Sequence, residues 1–397
     1  WICVQKDTDM EKNVFSDKFA YSLEDIIMRK VLLTATVQSH ICQFHRPLAE
    51  VLHNHGCEVH IAAKDNLAEK NGLKLDFADK VYNVPFSRSP KSSDNIKAYK
   101  ELKKILEKEH YDIIHCNTPM GGIITRLAAK KARKNGTKVF YTAHGFHFYT
   151  GASRKNWMVF YPIEKHFAKL TDKLITINHE DFKLANEKFK TDVSYIHGVG
   201  VDESRYYTVS DEEKLALREE LGFTPAQKIL LCVGELLPNK NQKMAIYAVK
   251  KLVDEFPDIV LLLAGNGSEK ENIENEIENL NLTDNVKMLG YCTCLEKYQR
   301  VADLSVSCSK REGLPLNIVE AMLSENPVVA TANRGHCELI SEGKNGYIVN
   351  VDDVDAMADR IRTLLLDSEK CMNMGKAAKD FALQYGFINV KKELDQI

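Results

Sequence analysis

The chain has no glycine-rich turn after its first apolar run. VLLTAT (residues 31–36) leads into VQSHICQFH, where a dinucleotide fold would carry G-x-G-x-x-G. That argues against nicotinamide chemistry. No apolar run approaches the roughly 20 residues that cross a bilayer, and no basic-then-apolar leader opens the chain, so neither a membrane span nor a signal peptide is expected. The 10 cysteines are scattered through apolar runs (Cys116, Cys232, Cys308) without a paired framework, which favours a reducing, cytosolic compartment. Cys292-Thr-Cys294 and His53-Asn-His55 are each half of a zinc-like pattern, and neither has a second half at the right spacing. No Asp-x-Asp pair suited to a divalent cation follows a strand end. A net charge of -2, from 54 basic and 56 acidic residues, excludes a globally basic nucleic-acid binder. Low-complexity tracts and long internal repeats are also missing.

What remains is a 397-residue chain, 44% hydrophobic and 28% charged, long enough for two or three domains. Residues 1–27 are polar and mixed and are expected to lie outside the fold, with Met28 a candidate start. From Val31 to about Ile196, apolar runs of strand length (VLLTAT, EVHIAA, DIIHCN, KVFYTA, KLITIN, VSYIH) alternate with helix-period stretches. Such βα units predict a parallel sheet covered on both faces. The alternation stops in a polar stretch after Asp202 and restarts with KILLCVGE, DIVLLLAGNG, NVKMLG, ADLSVSC, NPVVAT and GYIV. The predicted fold is α/β, with two Rossmann-like parallel-sheet domains, residues 28–205 and 206–380, facing across a cleft. A final helix, 381–397, is expected to pack back on the first domain.

SKREGLPLNIVEAM (residues 309–322) is the most informative segment. Glu312 precedes a turn and Glu320 follows it on a new helix. Gly313 permits a tight turn and Pro315 stiffens the approach, so backbone N–H groups near Leu316 and Asn317 should face the loop. A helix start of this kind favours phosphate, and carboxylates on either side suit sugar and ribose hydroxyls. The setting between two strand-like runs is where α/β sheets bind ligands.

These residues resemble glycosyltransferase family 4, of GT-B architecture, and within it the bacterial capsular and exopolysaccharide branch; the resemblance runs from Lys30 to the C-terminus. Glu312 and Glu320 match the family's E-x(7)-E motif, which implies that Glu312 contacts the donor sugar and Glu320 the ribose. VGELLPNKNQ (residues 233–242) matches the segment that places Gly234 and Lys240 at the donor diphosphate. YTAHGFHFY (residues 141–149) matches the family's His-Gly, which implies a donor-sugar contact for His144, with His147 the lesser candidate. The implied donor site is therefore Gly234, Lys240, Arg311, Glu312, Gly313, Leu314, Leu316, Asn317 and Glu320, with His144, Lys240 and Glu312 nearest the chemistry. Gly198, Gly200 and Asp202 resemble the hinge turn, and Gly265-Asn-Gly267 the turn at the nucleotide base. Gly335 and Glu338 fit the family's Gly-Gly-x-x-Glu, with Arg334 in place of the first glycine.

The resemblance implies a cytoplasmic, retaining, metal-independent transferase without cofactor, acting at the inner face of the membrane. It would move a sugar from a nucleotide-sugar donor, UDP-linked by preference, to a polyprenyl-diphosphate-linked glycan. Two departures stand out. Glu235 occupies the place of an arginine beside the diphosphate and is expected to turn away or to pair with Arg311 or Lys240, with Arg311 supplying the missing cation. The glycine-poor loop SHICQFH leaves His40 and His45 as acceptor-side candidates. Lysines 97, 100, 103, 104 and 108, a basic run at Lys130, Lys131, Arg133 and Lys134, and Trp157, Phe160 and Tyr161 amid Arg154, Lys155 and Lys165 suit a membrane interface. They suit solvated or packed helix faces as well. Two other readings stay open: a UDP-N-acetylglucosamine epimerase of the same architecture, and a degenerate sugar-nucleotide-binding subunit.

Overall fold

The structure, a computed structural model, describes residues 29–70 and 72–397; the expected extension over residues 1–27 lies outside them. Two parallel sheets form, as the βα alternation predicts. The first holds β1 (Lys30–Val37), β2 (Glu58–Lys64), β3 (Lys80–Asn83), β4 (Ile113–Asn117), β5 (Lys138–Ala143), β6 (Lys173–Thr176) and β7 (Asp192–Tyr195), in the order β3-β2-β1-β4-β5-β6-β7. The second holds β8 (Lys228–Val233), β9 (Ile259–Ala264), β10 (Val286–Gly290), β11 (Leu304–Ser307), β12 (Val328–Thr331) and β13 (Gly346–Val349), in the order β10-β9-β8-β11-β12-β13.

Burial explains why these runs are strands. All of β9 is buried, Leu261 and Leu263 toward one helix layer and Val260 and Leu262 toward the other. In the first sheet Val31 and Leu33 pack one way and Leu32 and Ile114 the other. A sheet so sandwiched must be apolar on both faces. Strand β3 escapes sequence detection because it is an exposed edge: Lys-Val-Tyr-Asn pairs with β2 through its backbone and presents no buried run.

The final helix, Phe387–Asp395, crosses to the first domain. Its Leu394 joins the core of Val31 and Leu33, His55 Nε2 meets Asp395 at 2.5 Å, and Lys391 pairs with Glu50. Glu203 fastens the helix start by accepting the Phe387 and Ile388 amides at 2.9 and 3.1 Å. Between the domains Gly198 has φ +76°, and a β-carbon there would meet Leu314 Cδ2 at 2.5 Å. Only glycine meets both conditions.

Strand order places the site. Each sheet reverses direction once, between β1 and β4 in the first domain and between β8 and β11 in the second. The loops that leave the strand ends there diverge and open a crevice.

Candidate functional site

In the second domain two loops border that crevice. They are zipped together: the Lys310 amide donates to the Asn239 carbonyl at 2.8 Å, and Asn239 Nδ2 donates to the Arg311 carbonyl at 3.0 Å. This fastening brings Lys240, after β8, to Glu312, after β11; Lys240 Nζ lies 2.7 Å from Glu312 Oε1, and both side chains are largely buried. The lysine's aliphatic stem runs over Gly234, 3.3 Å from the place of an absent β-carbon.

The helix Leu316–Leu323 begins just after Pro315. Its start is held against the end of β8 by Asn317, whose Nδ2 donates to the Val233 carbonyl at 3.0 Å. The amides of Leu316 and Asn317 thus sit at the open end of the helix, where its dipole favours an anion. Farther along, partly buried Glu320 faces Tyr206. Burial pushes its carboxyl up to about 7, opposed by the Tyr206 hydroxyl and the Arg205 cation. Arg205, Tyr206, Leu316 and Glu320 line a cavity of about 640 Å³ between the domains. It is flanked by a second, of about 530 Å³, bordered by Gly234, Gly265, Asn266, Gly267 and Tyr291. Tyr291, Cys292 and Leu295 line both.

The first domain presents His144, at the end of β5. Gly313 packs against it from the other domain; a β-carbon on Gly313 would lie 2.6 Å from the His144 carbonyl oxygen. The His144 imidazole stays within its own domain, with Nε2 3.2 Å from Asn117 Oδ1 and 3.3 Å from His40 Nε2. Burial lowers its pKa to about 4. His115, beneath it, is lowered to about 3, and His40 and His45 lie well below the usual range for the same reason, so four neighbouring imidazoles are neutral.

The predicted residues of the second domain therefore gather on two loops and one helix start, with His144 facing them through Gly313. Of the placements open to Glu235, the structure shows the turned-away one: it is exposed and pairs with neither Arg311 nor Lys240, the latter being taken by Glu312. Arg311 is exposed too, with no ion pair among the described residues, and its cation helps to lower His147 across the cleft. His147 itself stacks on Phe160, with centroids 4.7 Å apart.

Arg334, the departure from the glycine pattern, has a clear structural role. Its Nη1 lies 2.7 Å from fully buried Asp181 of the first domain, Nη2 donates to the Phe146 carbonyl at 3.1 Å, and the guanidinium covers the Tyr149 ring at 4.7 Å. Glu338 adds a second crossing, 2.5 Å from His179 Nδ1. Arg205, Tyr206 and Tyr291 were not foreseen; they lie in irregular segments with no periodicity or fixed spacing to mark them.

Known proteins resemble this chain in sequence and in fold. A model described as "Glycosyl transferases group 1" matches residues 213–381, and one described as "Glycosyl transferase 4-like" matches residues 30–178. EpsD of Bacillus subtilis (strain 168), whose name assigns it as a glycosyltransferase, is 40% identical over 371 residues, covering 93% of this chain and 96% of its own. The Escherichia coli UDP-Gal:alpha-D-GlcNAc-diphosphoundecaprenol alpha-1,3-galactosyltransferase is 26% identical, covering 88% and 89%. Among solved structures, Anabaena HepE in complex with UDP superposes with a TM-score of 0.76 at 20% identity, over 93% of this chain and 99% of that one. A sucrose-phosphate synthase from Thermosynechococcus elongatus reaches 0.75 at 20% identity, over 93% and 98%.

Proposed function

This chain belongs to the glycosyltransferases of GT-B fold, and from that premise we propose a retaining family 4 enzyme of the capsular and exopolysaccharide branch. It moves a sugar from a UDP-linked donor to a polyprenyl-diphosphate-linked glycan at the inner face of the membrane. The observation that carries this reading is the Lys240–Glu312 pair, 2.7 Å apart at the crevice and beside an open helix start. The donor diphosphate takes Lys240 from Glu312 and lies against the amides of Leu316 and Asn317. Glu312, so released, accepts hydroxyls of the donor sugar, and Glu320 accepts those of the ribose. As the glycosidic bond breaks, Lys240 and the helix dipole offset the charge of the departing diphosphate, a task that needs no metal. The acceptor hydroxyl attacks on the face that the nucleotide leaves, in a cleft narrowed by the contact of Gly313 with His144. Positioning there supplies much of the acceleration.

The UDP donor is supported by the names of the Escherichia coli relative and the Anabaena complex, and the lipid-linked acceptor by the former. For membrane docking the support is geometric. Helices Asp94–Lys108, Pro119–Ala128 and Arg154–Ala168 cover the same face of the first sheet, with Arg126 reaching Glu164 at 3.3 Å. The basic residues 97–108 and 154–165 thus share a layer with exposed Ile96, Met158 and Val159.

The test is a panel of UDP-, GDP- and ADP-sugars with lipid-linked acceptors and excess chelator, with the anomeric form of the product read by NMR. Acceptor-dependent, chelator-resistant transfer from a UDP-sugar with retention is expected. Conversion of UDP-N-acetylglucosamine without acceptor would identify an epimerase, and binding of a donor without any turnover a degenerate binding subunit.

A further inference from the structure

The imidazoles of His40, on the short helix Gln38–Phe44 that follows β1, of His45 at that helix's end, and of His144 at the end of β5 converge, with one ring nitrogen of each within 4.8 Å of the others. We propose that these three side chains form a binding site for one divalent transition-metal ion of the zinc class, an ion the transfer reaction does not require. Nitrogens bound at about 2.0–2.1 Å to one tetrahedral ion lie roughly 3.3 Å apart. His40 Nε2 and His144 Nε2 are already 3.3 Å apart. His45 supplies an independent sign: its Nε2 is buried and has no hydrogen-bond partner among the described residues. A buried polar atom without a partner is costly, and coordination would satisfy it.

Ligand chemistry and access agree. Neutral imidazole is the form that binds zinc, copper and nickel, and no proton has to be displaced from a cationic ring. Asn117 Oδ1, 3.2 Å from the same His144 Nε2, accepts from that nitrogen in the metal-free protein, so binding an ion exchanges this contact for a metal bond and shifts the His144 proton to Nδ1. His45 is buried, whereas His40 and His144 are partly open to the cleft, which gives an ion its way in and leaves a fourth position for water. Arg88 lies close enough to act on His40, and its positive charge favours an anionic fourth ligand.

Occupancy would hold His144 in this position and withhold its Nε2 from the donor sugar, so bound metal should lower turnover. That consequence rests on the transfer reading above; metal binding does not, and the two can fail separately. The experiment titrates chelator-stripped full-length protein with Zn²⁺ against a chromophoric chelator, and with Co²⁺ while visible absorption is recorded. The wild type, His45→Phe, His40→Gln and a Cys292→Ser/Cys294→Ser double variant are compared, the last because these thiols, 3.9 Å apart, are a competing soft site. One equivalent with a tetrahedral cobalt spectrum is expected in the wild type and in the cysteine variant. Affinity should fall by about 100-fold or more in each histidine variant, since even outer-shell partners are worth about 10–100-fold. Absence of binding, or binding that survives both histidine changes and disappears with the cysteines, would overturn the proposal.

Discussion

Replacing Arg334 by alanine should loosen the seam between the domains, and the size of the effect follows from what is left behind. Asp181 is fully buried; besides Arg334 it accepts the Phe146 amide at 2.8 Å and Asn178 Nδ2 at 2.9 Å. Removing one member of a buried pair costs about 3–5 kcal/mol, because the other charge stays buried. The two remaining donors put the expected loss near the lower end, about 3 kcal/mol. Burial already raises the Asp181 pKa, and Arg334 is the first force opposing that rise. Without the arginine the carboxyl moves farther up. A group raised in the folded state contributes stability below its unfolded pKa and loses it as pH climbs through the folded one. The deficit of Arg334→Ala should therefore be larger at pH 8 than at pH 5. Asp181→Asn removes the charge and keeps the shape, so the double variant should recover about 2 kcal/mol of the loss, a coupling that only a real interaction produces. Urea unfolding followed by circular dichroism, with small-angle scattering to detect domain opening, measures both quantities. A single-variant loss under about 1 kcal/mol, or a double variant no better than Arg334→Ala, would refute the reasoning.

Lys240→Ala should lower kcat by about 100-fold or more while the fold persists, as loss of one charge-stabilising donor commonly does; steady-state kinetics with saturating donor decides. Glu320→Gln should weaken UDP binding and flatten the pH dependence of stability. The Glu320 carboxyl rises from 4.5 to about 7, so the wild type loses stability from this group as pH climbs between those values. The loss is at most about 3 kcal/mol, and less because the side chain is only partly buried; thermal midpoints at several pH values check the sign. Gly313→Ala would set a β-carbon 2.6 Å from the His144 carbonyl oxygen, a backbone atom that cannot swing aside. It should cost about 1–3 kcal/mol or hold the cleft open, seen by calorimetry and scattering. Met158, 72% exposed, should enter anionic vesicles, and Met158→Asp should weaken co-sedimentation by about tenfold.

The sequence by itself determined the layered α/β plan, because strands buried on both faces must be written as continuous apolar runs, and β9 with its wholly buried Ile259–Ala264 is legible for that reason. It also placed the helix start after Pro315, because Gly313, Pro315 and the apolar run that follows are local to one turn and need no distant partner to be read. It did not disclose β3, whose identity lies in backbone pairing with β2. Nor did it disclose that Lys240 and Glu312, 72 residues apart, would meet, which depends on the fastening of two loops through Asn239. The sign of Glu235 was visible, yet its exposure was not, because side-chain direction on a loop is set by neighbours remote in the chain. Arg334 is the clearest case. Its sequence position marks only a missing glycine, whereas its role comes from Asp181, 153 residues away and buried at the far side of the domain seam. A charge acquires structural meaning from the dielectric and the partner around it, and both are products of tertiary packing.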